Sequence, residues 1–138
     1  GDTAGARSFF QQYIEADGED PAKGYNGLAL CDIADGSYDS ALENISKGLG
    51  DAESYEMQDL LFNEIVAYER KMDFATALSK TQEYVNMFKD DQAAAKELIF
   101  LQSRVGNQSS ETETDTSAES TAQDNTADTT TDGSSEEN

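Results

Sequence analysis

Between Ala6 and Val105 apolar residues recur every three or four positions, with a single proline, Pro21, and no long alternating run of β-branched residues. That is the period of a helix surface, so the segment predicts helices throughout. The first is expected from about Ala6 to Ala16, with Phe9, Phe10, Tyr13 and Ile14 on its buried side and Gly18 just past its end. Asp20-Pro21 then supplies a capping residue followed by proline at the first helical position, where the missing N–H costs no hydrogen bond. The second helix carries Tyr25, Leu28, Ala29 and Ile33 and stops near Asp35-Gly36. The third runs from about Tyr38 to Lys47, burying Tyr38, Ala41, Leu42 and Ile45, until Gly48-Leu49-Gly50 breaks it. The fourth begins near Ser54, presents Met57, Leu61, Ile65 and Tyr68 in one stripe, and ends around Arg70-Lys71, whose charges suit a helix C-terminus. A tight turn at Met72-Asp73 leads into the fifth, from Phe74 to about Lys89, through Ala77, Leu78, Thr81, Tyr84, Val85 and Phe88. Asp90 or Asp91 caps the sixth, from Gln92 to Val105, with Leu98, Ile99, Leu101 and Val105 apolar.

Helices two and three and helices four and five are one unit written twice. Tyr38-x-x-Ala41-Leu42 and Phe74-x-x-Ala77-Leu78 are displaced by 36 residues, close to the roughly 34-residue period of one helical repeat class. A small residue such as Ala41 or Ala77 lets two antiparallel helices approach closely, while Tyr38 and Phe74 fill the wedge at the turn. This pattern resembles the tetratricopeptide repeat family over about residues 22–89 and, more loosely, both flanks. The resemblance implies an all-α array of antiparallel helix hairpins, about six helices wound as a right-handed α-solenoid. The first helix would be the second helix of a preceding, truncated repeat, and the sixth the first helix of a following one, acting as a cap. The chain departs from the family pattern at Asp32, which stands where Tyr is usual, at Glu64 in place of Leu, and at Thr81 in place of an apolar residue. Neither copy ends in the usual Pro.

In that family the first helix of each unit lines a concave groove that holds peptides. Residue by residue, the resemblance places Lys23, Asn26, Leu30 and Ile33 on this wall from the first copy. Asp59, Phe62, Asn63, Val66 and Glu69 follow from the second, and Lys96 and Phe100 from the capping helix. Leu30, Phe62, Val66 and Phe100 would grip an apolar or extended segment, and Lys23 and Lys96 would meet acidic atoms. The alternative for Phe62, Val66 and Phe100 is simple packing between helices. The family's Lys and Asn set for clasping a terminal carboxylate is incomplete, so that specificity does not carry over.

Composition changes abruptly after Val105. From Asn107 to Asn138 there is no Lys, Arg, aromatic, Leu, Ile, Val or Met, and nine acids fall here, leaving −11 of the formal −20 for the rest. Such a segment has nothing to bury against the entropy of ordering it. The expected organisation is a disordered remnant at 1–5, a helical repeat domain at 6–105 and a disordered Ser/Thr/Asp/Glu-rich tail at 106–138. The tail reads as a self-repelling spacer or as an envelope stalk. Gly1 to Gly5 carry no core pattern and read as the remnant of a longer chain.

A charge of −20 without a basic stripe disfavours nucleic acid and anionic membrane surfaces as partners. No stretch is long and apolar enough to insert in a membrane. There is no histidine, no phosphate-binding glycine loop and no zinc ligand set. The acidic turns at Asp17-Gly18-Glu19-Asp20 and Asp35 to Asp39 lack the form of a calcium loop. Cys31, beside Asp32, reads as a packing residue. No cofactor, metal or catalytic residue is therefore expected. The leading reading is a non-enzymatic module that binds a protein or peptide, with charge favouring a basic partner. The alternative is a structural spacer of an envelope or secreted lipoprotein, and the tail composition leans towards an extracytoplasmic location. Self-association through an open first helix is a further expectation.

Overall fold

A computed structural model describes residues 2–16 and 20–120. Among the described residues six helices follow one another: α1 (Thr3–Glu15), α2 (Pro21–Asp35), α3 (Tyr38–Asp51), α4 (Ser54–Arg70), α5 (Phe74–Met87) and α6 (Gln92–Ser120). The described residues include no strand and no helix long and apolar enough to cross a membrane. The chain divides into two units, residues 1–105 and 106–138. In the first unit α1 packs on α2, α2 on α3, α3 on α4 and α4 on α5, and α2 also packs on α4.

Three boundaries depart from expectation for identifiable reasons. Helix α1 starts at Thr3 and not Ala6, because Asp2 Oδ1 accepts the Gly5 N–H at 2.9 Å and caps it. Residues 3–5 are thus helical and not a disordered remnant. Helix α3 runs through Gly48-Leu49-Gly50 to Asp51. Gly48 is buried, and a Cβ there would lie 3.0 Å from both Leu60 methyls, so this glycine admits a neighbouring helix and does not end its own. Helix α6 continues past Val105 to Ser120. No proline interrupts residues 106–120, and a helix already nucleated by packing extends at low cost. Residues 106–110 are all exposed. The remainder of the expected tail, from 121 onward, and most of the acidic turn, Asp17-Gly18-Glu19, lie outside the described residues.

The core is built from small residues facing larger ones. Ala22, Ala29, Ala41 and Ala67 are fully buried around Ile45 and Leu60. A second cluster joins Ile65, Tyr84 and Ala94, and a third joins Phe74, Ala77 and Leu101. Both alanines at the repeat landmarks, Ala41 and Ala77, are completely covered. At the start of the array Gly24 and Gly27 admit α1 closely: a Cβ on Gly24 would meet the Ile14 side chain, and one on Gly27 the Phe10 ring.

The polar residues that break the repeat pattern are each satisfied. Asp32, 2% exposed, accepts Arg7 Nη1 at 2.6 Å and Asn44 Nδ2 at 2.8 Å, tying α1 and α3 to α2. Glu64 pairs with Lys80 of α5 at 3.3 Å. Thr81 is fully buried and its Oγ1 donates to the Ala77 carbonyl at 2.7 Å.

The turns of the two hairpins use the same hydrogen bonds. Ser37 N–H donates to Asp32 O at 2.8 Å and Gly36 N–H to Ile33 O at 3.2 Å; 36 residues on, Asp73 N–H donates to Tyr68 O and Met72 N–H to Glu69 O, both at 2.9 Å. The next helix opens alike, with Ala41 N–H on Ser37 O and Ala77 N–H on Asp73 O, each at 3.0 Å. Gly36 and Met72 both take the left-handed conformation, φ 79° and 69°, as this helix-ending motif requires.

A side chain in that conformation is strained. Met72→Gly should therefore raise the unfolding free energy by ~1 kcal/mol and Gly36→Ala should lower it by a similar amount, as read by urea denaturation. Gly27→Ala should cost ~1–3 kcal/mol by overpacking and should selectively reduce hydrogen-exchange protection in α1.

Candidate functional site

A recess of about 460 Å³ is lined by Asn26 and Leu30 of α2, Gln58, Asp59, Phe62 and Asn63 of α4, Tyr84 of α5, and Asp91 and Ala93 at the start of α6. The α2–α4 contact creates it. Those two helices are not consecutive in the chain, and their adjacency aligns Asn26 with Asn63, whose Nδ2 donates to Asn26 Oδ1 at 2.7 Å. One acceptor on Asn63 and the amide donors on Asn26 are left over from that bond.

The far wall is a hydrogen-bonded chain. Gln58 Nε2 donates to Tyr84 Oη at 3.1 Å, and Tyr84 Oη donates to Asp91 Oδ2 at 2.8 Å. Asp91 Oδ1 accepts the N–H groups of Ala93 and Ala94, both at 3.1 Å, so Asp91, rather than Asp90, caps α6. The Tyr84 hydroxyl and these backbone donors hold the Asp91 carboxyl below the usual carboxylate range. Burial pushes the Tyr84 phenol up, keeping it a donor. Phe62 meets the Tyr84 ring edge-on at 5.9 Å, and Tyr84 meets Phe88 at 4.8 Å. Leu30 is 49% exposed. The lining thus combines three amides, two carboxylates and a short apolar strip, and contains no cationic side chain.

Of the residues expected on the groove wall, Asn26, Leu30, Asp59, Phe62 and Asn63 come together here. The other six lie elsewhere. Lys23 approaches Asp20 at 3.7 Å and, with Phe9, Phe10 and Tyr13, borders a separate apolar hollow of about 190 Å³. Ile33 packs against the alanine-lined core. Val66 is half-buried on α4 and Lys96 is exposed on α6. Phe100 is 52% exposed, and Glu69 is half-buried on α4, where burial, first, and then the charge of Glu97 push its carboxyl up to about 7. Gln58, Tyr84, Asp91 and Ala93 complete the lining, though the repeat pattern points to none of them. The one available signal was Tyr84: a tyrosine in a buried stripe needs a partner for its hydroxyl.

Cys31 is buried. Burial is the main cause that raises its thiol, with Asp35 and Asp32 acting the same way and Arg7 opposing. Its thiol therefore stays protonated at neutral pH. Among the described residues no group of three or more acidic, cysteine or histidine side chains is placed to hold a metal ion. Comparison of the chain with protein-family models, curated proteins and solved structures finds no match.

Tyr84→Phe deletes the hydroxyl that links Gln58 to Asp91 while keeping the ring. The expected cost is ~0.5–1.5 kcal/mol, with larger chemical-shift changes at Ala93 and Ala94 than in α1, measured by denaturant titration and amide NMR.

Proposed function

We propose that this chain is a non-enzymatic, tetratricopeptide-like interaction module, and that its recess receives an extended segment of a protein partner. The observation that carries this reading is the composition of the recess: amide donors and acceptors suited to a peptide backbone, beside Leu30 and Phe62 for apolar side chains. The hydrogen-bond pattern repeated at a 36-residue offset supports tetratricopeptide-like packing. Asp59 and Asp91, together with the −20 charge of the whole chain, favour a basic segment, chiefly through faster encounter.

A second reading, as a spacer in an envelope or secreted protein, is supported by the exposure of the whole run 106–110 in α6. The two readings differ in what the recess does.

Leu30 and Asp59 are both exposed, so Leu30→Ser with Asp59→Lys leaves the core intact. In a peptide-array screen followed by fluorescence anisotropy, the double variant should weaken the selected basic peptide about tenfold or more, with an unchanged melting temperature. Equal affinity for wild type and variant would place the binding surface elsewhere, and no bound peptide would favour the spacer.

A further inference from the structure

A second hollow, of about 410 Å³, lies where α5 gives way to α6 and is walled by Gln58, Met87, Phe88, Lys89, Asp90 and Asp91. Gln58 and Asp91 also wall the recess between α2 and α4. The two hollows are therefore neighbours with a shared wall, in which Gln58 donates to Tyr84 Oη at 3.1 Å and Tyr84 Oη donates to Asp91 at 2.8 Å. Their chemistry differs. The recess holds the carboxylates of Asp59 and Asp91 and no cation. The second hollow carries Lys89 beside Asp90, and its apolar surface is Met87, 53% exposed at the end of α5, with the half-buried ring of Phe88.

We propose that the two hollows are adjoining subsites of one groove that reads a two-residue signature in an extended segment of a partner protein: an arginine or lysine side chain in the recess and a large apolar side chain against Met87 and Phe88. This rests on the reading of the recess as a peptide site and adds to it a second contact and a fixed assignment of each side chain. Asp59 is exposed, and no described residue engages its carboxylate in a hydrogen bond or ion pair. Asp91 accepts from Tyr84 and from the N–H groups of Ala93 and Ala94, which leaves about one of the roughly four acceptor sites of a carboxylate. Asp59 is thus the group that meets the cation, and Asp91 is a fixed charge beside it. Lys89 repels a cationic side chain from the second hollow, so the recess alone takes the cation. The unbranched thioether of Met87 adapts to apolar side chains of different shape, so leucine, methionine and phenylalanine all suit it.

Spacing follows from strand geometry. In an extended segment the side chains at i and i+2 project from the same face, ~7 Å apart, which suits hollows that share two wall residues. The segment comes from another protein, because residues 107–138 of this chain contain nine acids and no Lys or Arg to place in the recess.

The test uses the full chain and short, fluorescein-labelled Gly/Ser peptides that carry one arginine and one leucine at varied separation, with binding read by anisotropy. Affinity should peak with one residue between the two. Replacing the leucine by serine, or the arginine by citrulline, which keeps the shape and removes the charge, should each weaken binding about tenfold. In Met87→Gln the leucine and serine peptides should bind equally while the loss on citrulline remains. Asp59→Asn should do the reverse. The Met87 methyl NMR signal should move on adding the leucine peptide and hold still on adding the serine peptide. A leucine that adds nothing, while citrulline still weakens binding, would overturn the two-subsite groove and leave the recess as a peptide site. Equal affinity at every separation would overturn the groove as well. Absence of binding by every peptide would overturn both it and the peptide reading of the recess. The peptide substitutions and the methyl signal are read on the wild-type chain, so the outcome does not depend on either variant folding.

Discussion

Close approach between helices is the constraint on which the rest of this molecule depends. The chain has no tryptophan, and only 36% of its residues are hydrophobic. Dispersion falls off steeply with separation, so a core of modest side chains gains most when backbones come near. Alanine and glycine supply that proximity at each seam: Gly24 and Gly27 under α1, Ala29 and Ala41 between α2 and α3, Gly48 against Leu60, Ala77 beneath Leu101, and Ala94 beside Ile65 and Tyr84. The same residues that lower the hydrophobic content of the sequence hold the helices together. Gly48 illustrates the trade. It weakens its own helix slightly, yet it sits where α3 and α4 meet.

Asp32, Thr81 and Tyr84 are tolerated inside this narrow core because each has a partner from a different helix or from its own backbone. Asp32 is shared by Arg7 and Asn44, Thr81 returns its hydroxyl to the previous turn, and Tyr84 is held between Gln58 and Asp91. Such bonds add modestly to stability but specify which helix faces which, since a mispaired arrangement would strand a buried acceptor.

The recess follows from the same arrangement. Because α2 and α4 are in contact although α3 separates them in sequence, side chains from both face one hollow, and the capped start of α6 closes its end. An acidic chain whose hollow offers amides and two carboxylates disfavours anionic ligands and suits a cationic or neutral extended one. That is the physical basis for the proposed interaction reading, in which the acids would supply orientation and encounter and Leu30 and Phe62 would supply contact.

Helix content, the turns at Gly36 and Met72, and the burial of Ala41 and Ala77 were legible in the sequence, because local spacing and cap chemistry determine them. Helix ends that depend on a neighbour were not. Gly48-Leu49-Gly50 has the local signature of a breaker, and only the presence of Leu60 turns Gly48 into a packing residue. Residues 3–5 and 106–120 likewise lack an apolar pattern yet belong to helices. The candidate site divides in the same way. Asn26, Leu30, Asp59, Phe62 and Asn63 sit on stripes that the repeat periodicity marks, whereas Gln58, Tyr84, Asp91 and Ala93 reach the recess only through the rotation of α4 and the docking of α5 and α6. Lys23, Lys96 and Phe100 share the expected helical faces but do not line the hollow. Periodicity records which side of a helix is covered. The angle and depth at which two covered sides meet are set by side-chain volumes contributed from both, and those combine only in three dimensions.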